Sequence, residues 1–260
     1  MDLQGKTALI TGSMTGIGFG IAKGLADAGI NLVLNGIRAP EVVEPQRAEI
    51  EALGVSAIFC QADVSDADAV ASMVGRAEEE FGGLDIVINN AGIQHVSPLE
   101  DFPREKWDAI LAINLSAAFH LCQSAVPLMK RGGWGRIINI ASAHGLVASP
   151  YKSAYVAAKH GIVGLTKTLA LELGEDNITC NAICPGYVRT PLVEQQIADT
   201  ARARGISEED VVKNVMLEAQ WTKKFVTVEQ LAGTALFLCS DHAENITGTA
   251  IPVDGGWTAA

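Results

Sequence analysis

Tyr155 and Lys159 lie four residues apart in Ser153-Ala-Tyr-Val-Ala-Ala-Lys-His160, a stretch that reads as helix. Residues at that separation share one helix face, a turn apart. A phenol titrates near ~10, as does a lysine ammonium. Held together away from water, the ammonium favours the phenolate and is expected to lower the tyrosine pKa. A tyrosine tuned in this way passes a proton near neutral pH. The spacing arises by chance in many helices, so its weight depends on the rest of the chain.

A second constellation is Thr11-Gly-Ser-Met-Thr-Gly-Ile-Gly18, between an apolar run and a helical pattern. Gly12 permits a sharp turn, Gly16 lets the backbone approach a pyrophosphate, and Gly18 allows close helix–strand packing. The helix N-terminus then offers free N–H groups and a positive dipole end to phosphate. The position after the first strand and before the first helix is the context this motif requires. Gly12, Thr15, Gly16, Ile17 and Gly18 are therefore candidate dinucleotide contacts. The nicotinamide type stays open on the residues themselves. An acid at the end of the second strand would favour NAD and an arginine NADP, and this chain reads Asn35-Gly-Ile-Arg38 there.

The elements that must position these groups follow from the hydrophobic pattern. Strand-like runs occur at 7–10, 32–34, 57–59, 85–88, 136–140, 178–183 and 250–253. Helical patterns lie near 17–28, 41–53, 67–81, 104–130, 153–173 and 228–239. Unbroken apolar strands suit a sheet covered on both faces. The alternation predicts an α/β fold: a doubly wound parallel sheet of about seven strands, Rossmann-like, with helices on both faces. Residues 1–260 are read as a single catalytic domain. The segment 186–226 holds no strand pattern and two short helical ones, near 191–204 and 207–219, and is long for a connection. It is expected to be a helical substrate lid.

Bulk properties narrow the function classes. At 260 residues and 48% hydrophobic, the chain can bury an ample core. No apolar run is expected to be long enough to span a bilayer, and the start, Met1-Asp-Leu-Gln-Gly-Lys6, leads directly toward a strand rather than resembling a signal peptide. The five cysteines, at 60, 122, 180, 184 and 239, form no Cys-x-x-Cys pair. Cys180 and Cys184 on one extended strand would be ~13 Å apart, beyond disulfide reach. Reduced thiols and a cytoplasmic location are expected. The net charge of −11 argues against nucleic acid and anionic membranes as partners. No metal-ligand cluster is visible, since His120 and Cys122 are two apart on a helix and face different ways.

With these residues assembled, the chain resembles the short-chain dehydrogenase/reductase family over essentially its whole length. The match rests on the glycine loop, Asp63-Val64, Asn89-Asn-Ala-Gly92, Asn114, Ser142, Tyr155-x-x-x-Lys159, Asn181 and Pro185-Gly186. The resemblance implies roles. Tyr155 would be the general acid/base at the substrate oxygen, and Ser142 would hydrogen-bond that oxygen. Lys159 would lower the tyrosine pKa and hold the nicotinamide ribose. Asn114 would help hold a water linking Lys159 to solvent. Asp63 and Val64 would meet the adenine, and Asn90, Ala91 and Gly92 would line the cofactor. Pro185, Gly186, Val188 and Thr190 would lie by the nicotinamide, although Thr190 equally suits a cap for a helix begun by Pro191.

Substrate specificity is not set by fold. Around the serine and tyrosine, the segment reads Ala141-Ser-Ala-His-Gly-Leu-Val-Ala-Ser-Pro-Tyr-Lys-Ser-Ala-Tyr155. Lys152, one turn before Tyr155, and His144 can face the same mouth. Gln94 and Gln195-Gln196 add amide donors, a set suited to a small carboxylate. Gly92-Ile-Gln-His95, the 138–149 segment, 184–193, Gln195-Gln196 and Val253-Asp-Gly-Gly-Trp257 resemble bacterial D-3-hydroxybutyrate dehydrogenases. That resemblance implies a soluble, NAD-dependent homotetramer that interconverts (R)-3-hydroxybutyrate and acetoacetate. It places Gln94, His144, Lys152 and Gln196 at the carboxylate. Trp257 would wall the methyl end, with its own chain and a neighbouring subunit as the alternative sources. Tyr187 stands where the family leads one to expect tryptophan, and Gly36 where an acid is usual. The alternatives are an NADPH-dependent carbonyl reductase of another small substrate and, more remotely, a non-catalytic dinucleotide-binding sensor.

Overall fold

The computed structural model describes residues 3–190, 193–194, 197–198, 201–202 and 205–260. Seven strands form one parallel sheet: β1 (Thr7–Ile10), β2 (Asn31–Gly36), β3 (Ala57–Gln61), β4 (Ile86–Asn89), β5 (Gly135–Ile140), β6 (Ile178–Pro185) and β7 (Ala250–Val253). Their spatial order is β3-β2-β1-β4-β5-β6-β7. The strand order reverses between β1 and β4, and this switch point opens a crevice at the carboxyl ends of the strands. Among the described residues, the bounded α-helices include α1 (Gly16–Asp27), α2 (Pro40–Glu51), α3 (Ala67–Phe81), α4 (Arg104–Leu111), α5 (Ala117–Gly132), α6 (Ser153–Leu173), α7 (Glu208–Val211) and α8 (Val228–Cys239). All seven strands fall where the hydrophobic runs place them.

The sheet is buried on both faces. Ile10, Leu32, Leu34, Ile86 and Ile88 pack on one side with Ile21 and Leu25 of α1 and Leu231 and Leu238 of α8. Leu9, Val33, Val87 and Ile137 pack on the other with Met73 of α3 and Leu121 and Met129 of α5. Each fully buried aliphatic side chain is worth about 1.5–3 kcal/mol relative to exposure. Helix α1 packs tightly on α8 because a Cβ on Gly20 would come within 2.5 Å of Val228 Cβ, and one on Gly24 within 2.7 Å of Ala232 Cβ.

Local signals fix the helix ends. Asp66 accepts the N–H groups of Asp68 and Ala69 to start α3. Thr227 and Gln230 form a reciprocal capping box on α8. Between α4 and α5, residues Ala112–Ser116 form a π-turn, so that 104–132 runs as one widened helix.

Two expectations need correction. Arg104–Gly132 is long and apolar enough, by composition, to cross a membrane. The apolar face that gives it this character is spent on the sheet, where α5 packs against α3, β4 and β5. The segment after β6 is also not free of pairing. Val188 bridges Val226 in parallel, and Val226 N–H donates to Tyr187 C=O at 2.9 Å. Both ends of the expected lid are thereby clamped together. Pro191, Gln195 and Gln196 lie outside the described residues, as does part of the 191–204 helical pattern.

Candidate active site

The glycine loop joins β1 to α1 at the switch point. Gly12 and Gly16 have φ of +61° and +56°, a region that disfavours side chains. A Cβ on Gly18 would stand 2.5 Å from Gly12 C=O. The α1 N-cap, Thr15, makes no side-chain capping bond, and no acid lies in the first turn. The first N–H groups of α1 thus face the crevice without a side-chain competitor for phosphate. The loop fits a dinucleotide pyrophosphate, with Ile17 in the first turn of the helix.

Buried polar groups hold this loop rigid. Asn35 Oδ1 accepts Gly12 N–H at 3.1 Å, and its Nδ2 donates to Cys60 and Ala62 carbonyls. Asn35 is therefore committed to bracing the loop. Asn90 Nδ2 donates to the Thr11 and Gly12 carbonyls at 2.9 and 3.1 Å. Thr11 Oγ1 accepts the N–H groups of Asn90 and Ala91, both at 3.0 Å. Beside the loop, Gly12, Met14, Thr15, Gly36 and Arg38 line a cavity of about 160 Å³. It lies where an adenosine ribose would follow the pyrophosphate. Asp63, exposed, accepts from Ser65 N–H and hydroxyl, which hold its carboxyl below the usual range. Val64 is buried in the core and can offer only its main chain.

The reactive groups meet at the carboxyl ends of β5 and β6. Ser142 stands close enough to the Tyr155 phenol to favour its ionised form, and its hydroxyl accepts His144 N–H at 3.1 Å. Lys159 Nζ donates to Ile140 C=O at 2.7 Å and lies 5.6 Å from the centre of the Tyr155 ring. Burial pushes the Tyr155 phenol up, against the lowering by Ser142. Burial pulls Lys159 down to about 8. The expected lowering of the tyrosine by the lysine is thus not found in the chain by itself. The ammonium is aimed at a main-chain carbonyl, and desolvation dominates both groups. Ile140 C=O and Cys184, whose thiol burial raises to about 11, are neighbours of Lys159 that no motif revealed.

Asn114 sits in the π-turn. Its amide pairs twice with Ile93, accepting from N–H at 2.9 Å and donating to C=O at 3.0 Å. Asn114, Lys159, Asn89 and Ile140 share a small cavity of about 10 Å³, roughly the space of one water centre.

The polar cluster expected for a carboxylate is partly assembled. Lys152 Nζ lies 3.3 Å from His144 Nε2. Burial, then the Lys152 charge, lowers His144 to about 4, and burial lowers Lys152 as well. A ring series runs from Tyr155 to His144 (6.2 Å, edge-on), to Trp257 (5.0 Å, edge-on), and to Tyr187 (5.6 Å, stacked at 11°). Trp257 comes from the same chain, which corrects the thought of a neighbouring subunit: the turn after β7 is short enough to bring it back over β6. Gln94 is exposed on the loop after β4, and no contact among the described residues joins it to this cluster. Gln196 lies outside the described residues. Pro185 and Val188 are buried, Gly186 and Thr190 half-buried. Thr190 C=O and Oγ1 accept the N–H groups of Glu194 and Val193, so it does serve the following segment. Its methyl would also lie 3.6 Å from a Cβ on Gly16, bringing the two loops together. Among the described residues no group of His, Cys, Asp and Glu is placed to hold a metal.

Residues 12–258 match the family model described as enoyl-(acyl carrier protein) reductase. The chain is 58% identical over 255 residues to the D-beta-hydroxybutyrate dehydrogenase of Rhizobium meliloti, covering 98% of this chain and 99% of that one. It is 51% identical over 257 residues to the enzyme of the same name from Cupriavidus necator, covering 99% of each. A solved structure of a candidate short-chain alcohol dehydrogenase from Sinorhizobium meliloti superposes with a TM-score of 0.89 at 40% identity, covering 100% of this chain and 98% of that one.

Proposed function

This chain belongs to the short-chain dehydrogenase/reductase family, and from that premise we propose that it reversibly oxidises (R)-3-hydroxybutyrate to acetoacetate with NAD. The observation that carries the substrate is the pairing of Lys152 with His144 beside Tyr155 and Ser142. A cation and an imidazole stand side by side, next to Ser142 and Tyr155, in an acidic protein. They suit a substrate whose carboxylate and hydroxyl are separated by two carbons.

The chain's own groups divide the work. Lys152 donates charge-assisted hydrogen bonds to the carboxylate, and neutral His144 supports one of its oxygens. Resemblance alone adds Gln94 and Gln196 to that set. Ser142 and Tyr155 hold the substrate oxygen between them. When bound, the nicotinamide ring supplies the hydride acceptor. In oxidation Tyr155 takes the hydroxyl proton as the C=O bond forms; in reduction it returns it. Lys159, titrating near 8, passes that proton onward beside Asn114. Gly12, Thr15, Gly16, Ile17 and Gly18 hold the pyrophosphate. Asp63 and Val64 meet the adenine, Asn90, Ala91 and Gly92 line the cofactor, and Pro185, Gly186, Val188 and Thr190 lie on the nicotinamide side. Trp257 and Tyr187 wall the methyl end. Resemblance to cytoplasmic tetramers extends the proposal to a homotetramer acting in the cytoplasm, which sedimentation and fractionation test.

The deciding assay follows NADH formation with (R)- and (S)-3-hydroxybutyrate. Turnover of the (R) form with NAD is expected. Absence of it, with turnover of a neutral alcohol, overturns the proposal. A higher kcat/KM with NADP than with NAD would favour the carbonyl-reductase reading, with Arg38 at the 2′-phosphate.

A further inference from the structure

Gln220 is a fully buried amide in a segment otherwise facing solvent: its relative exposure is 0%, while Trp221, Thr222, Lys223 and Lys224 are exposed. Burying an amide is costly unless both of its ends are bonded. Here both are. Oε1 accepts the main-chain N–H of Tyr187, and Nε2 donates to Lys224 C=O at 2.7 Å. The surrounding glycines leave room for it. A Cβ on Gly186 would lie 2.5 Å from Gln220 Oε1 and 3.0 Å from Asp254 Cα, and one on Gly255 would lie 3.4 Å from Gln220 Cβ.

Gln220 therefore stands between two turns. One leads from β6 into Tyr187. The other leads from β7 through Asp254, Gly255 and Gly256 into Trp257. Asp254 fixes the second turn by accepting the N–H groups of Gly256 and Thr258, both at 2.9 Å. Thr222 N–H donates to Gly255 C=O at 3.0 Å, tying the turn after Gln220 to the same segment. The two turns deliver the stacked rings of Tyr187 and Trp257, and Trp257 in turn meets His144.

We infer that Gln220 is a positioning residue that sets how closely the Tyr187–Trp257 wall approaches the reacting carbon, and hence which lengths of 3-hydroxy acid are accepted. It touches no reacting atom. It acts through the main chain of Tyr187, whose N–H has one side-chain partner, 33 residues away. Without that partner the wall retreats, and a longer acyl tail loses its disadvantage. This inference rests on the proposed 3-hydroxy-acid specificity.

The test compares wild type, Gln220→Met and Gln220→Glu with (R)-3-hydroxybutyrate and (R)-3-hydroxyhexanoate. The methionine keeps the length and loses both hydrogen bonds. The glutamate keeps the acceptor for Tyr187 and loses the amide donor. The ratio of kcat/KM for the four-carbon over the six-carbon acid is expected to fall about fivefold to tenfold in the methionine variant, as one lost hydrogen bond implies. In the glutamate variant it should fall less. Gln220 as a purely structural residue would lower the melting temperature and the active fraction but leave that ratio alone. An unchanged ratio in a folded methionine variant overturns the inference. Should that variant not fold, Gln220→Asn takes its place, its shorter side chain withdrawing the acceptor from Tyr187 N–H, and an unchanged ratio there overturns the inference. Failure of wild type to oxidise either acid would instead refute the proposed substrate.

Discussion

The ammonium of Lys152 lies 3.3 Å from Nε2 of His144, at the start of the helix that also carries Tyr155 and Lys159. Two lysines seven residues apart thus stand near Tyr155: Lys159 is buried, 5.6 Å from the centre of the tyrosine ring, and Lys152 is half-buried beside His144. This division gives the first prediction.

Lys152→Ala should raise KM for acetoacetate by about 10-fold to 100-fold while leaving NADH affinity within a few-fold. One charge-assisted hydrogen bond is worth about 1.5–3 kcal/mol. Steady-state kinetics and cofactor titration check it. An unchanged KM would remove Lys152 from the substrate site.

Proton linkage at His144 should make the protein acid-sensitive. Its folded pKa, about 4, is below the ordinary value of 6.5. Between those values the unfolded chain binds more protons, so stability falls as pH drops from about 6.5 toward 4. The loss is at most about 3 kcal/mol. Melting temperatures from pH 7 to 4 should show a shallower decline for His144→Gln. Equal slopes in the two proteins would refute the linkage.

Lys159→Met should abolish turnover without destabilising the fold at pH 7. Burial depresses the lysine from 10.5 to about 8, so its charge is held in the native state at a cost below pH 8. That cost fades as pH rises toward 10.5, because the unfolded chain then also loses the proton. Thermal melts at pH 7 and pH 10 are expected to show methionine at least equal to lysine at pH 7, with any advantage shrinking at pH 10. A large loss of stability at pH 7 would contradict the desolvation account.

Gly18→Ala should weaken NAD binding at least tenfold while far-UV circular dichroism stays native. The new Cβ meets Gly12 C=O at 2.5 Å, so the loop must shift, and overpacking of this kind costs about 1–3 kcal/mol. Normal cofactor affinity in this variant would show that the loop does not need its present course.

Much of the fold was legible because parallel strands buried on both faces write themselves as unbroken apolar runs. The runs at 7–10 and 250–253 coincide with β1 and β7. The glycine loop was legible because only glycine suits its turns and contacts. Tyr155, Ser142, Lys159, Lys152 and His144 do converge. The direction of the Tyr155 shift is not legible in the sequence, because spacing along a helix says nothing of Ile140 C=O, which accepts the lysine's hydrogen bond from another element. The bilayer-like composition of Arg104–Gly132 is ambiguous for a related reason: composition cannot tell a core helix from a spanning one.

The sequence by itself determined the strand and helix order, the phosphate-binding turn, and the residue types for proton transfer. These depend on local periodicity and on steric limits within a few bonds. Tertiary structure alone decided which charges are desolvated, that Asn35 braces the loop, that Trp257 returns from its own chain to face His144, and that Gln220 joins two distant turns. Each is a contact between segments far apart in sequence, whose strength depends on distance and exclusion of water. A linear string of residues carries neither.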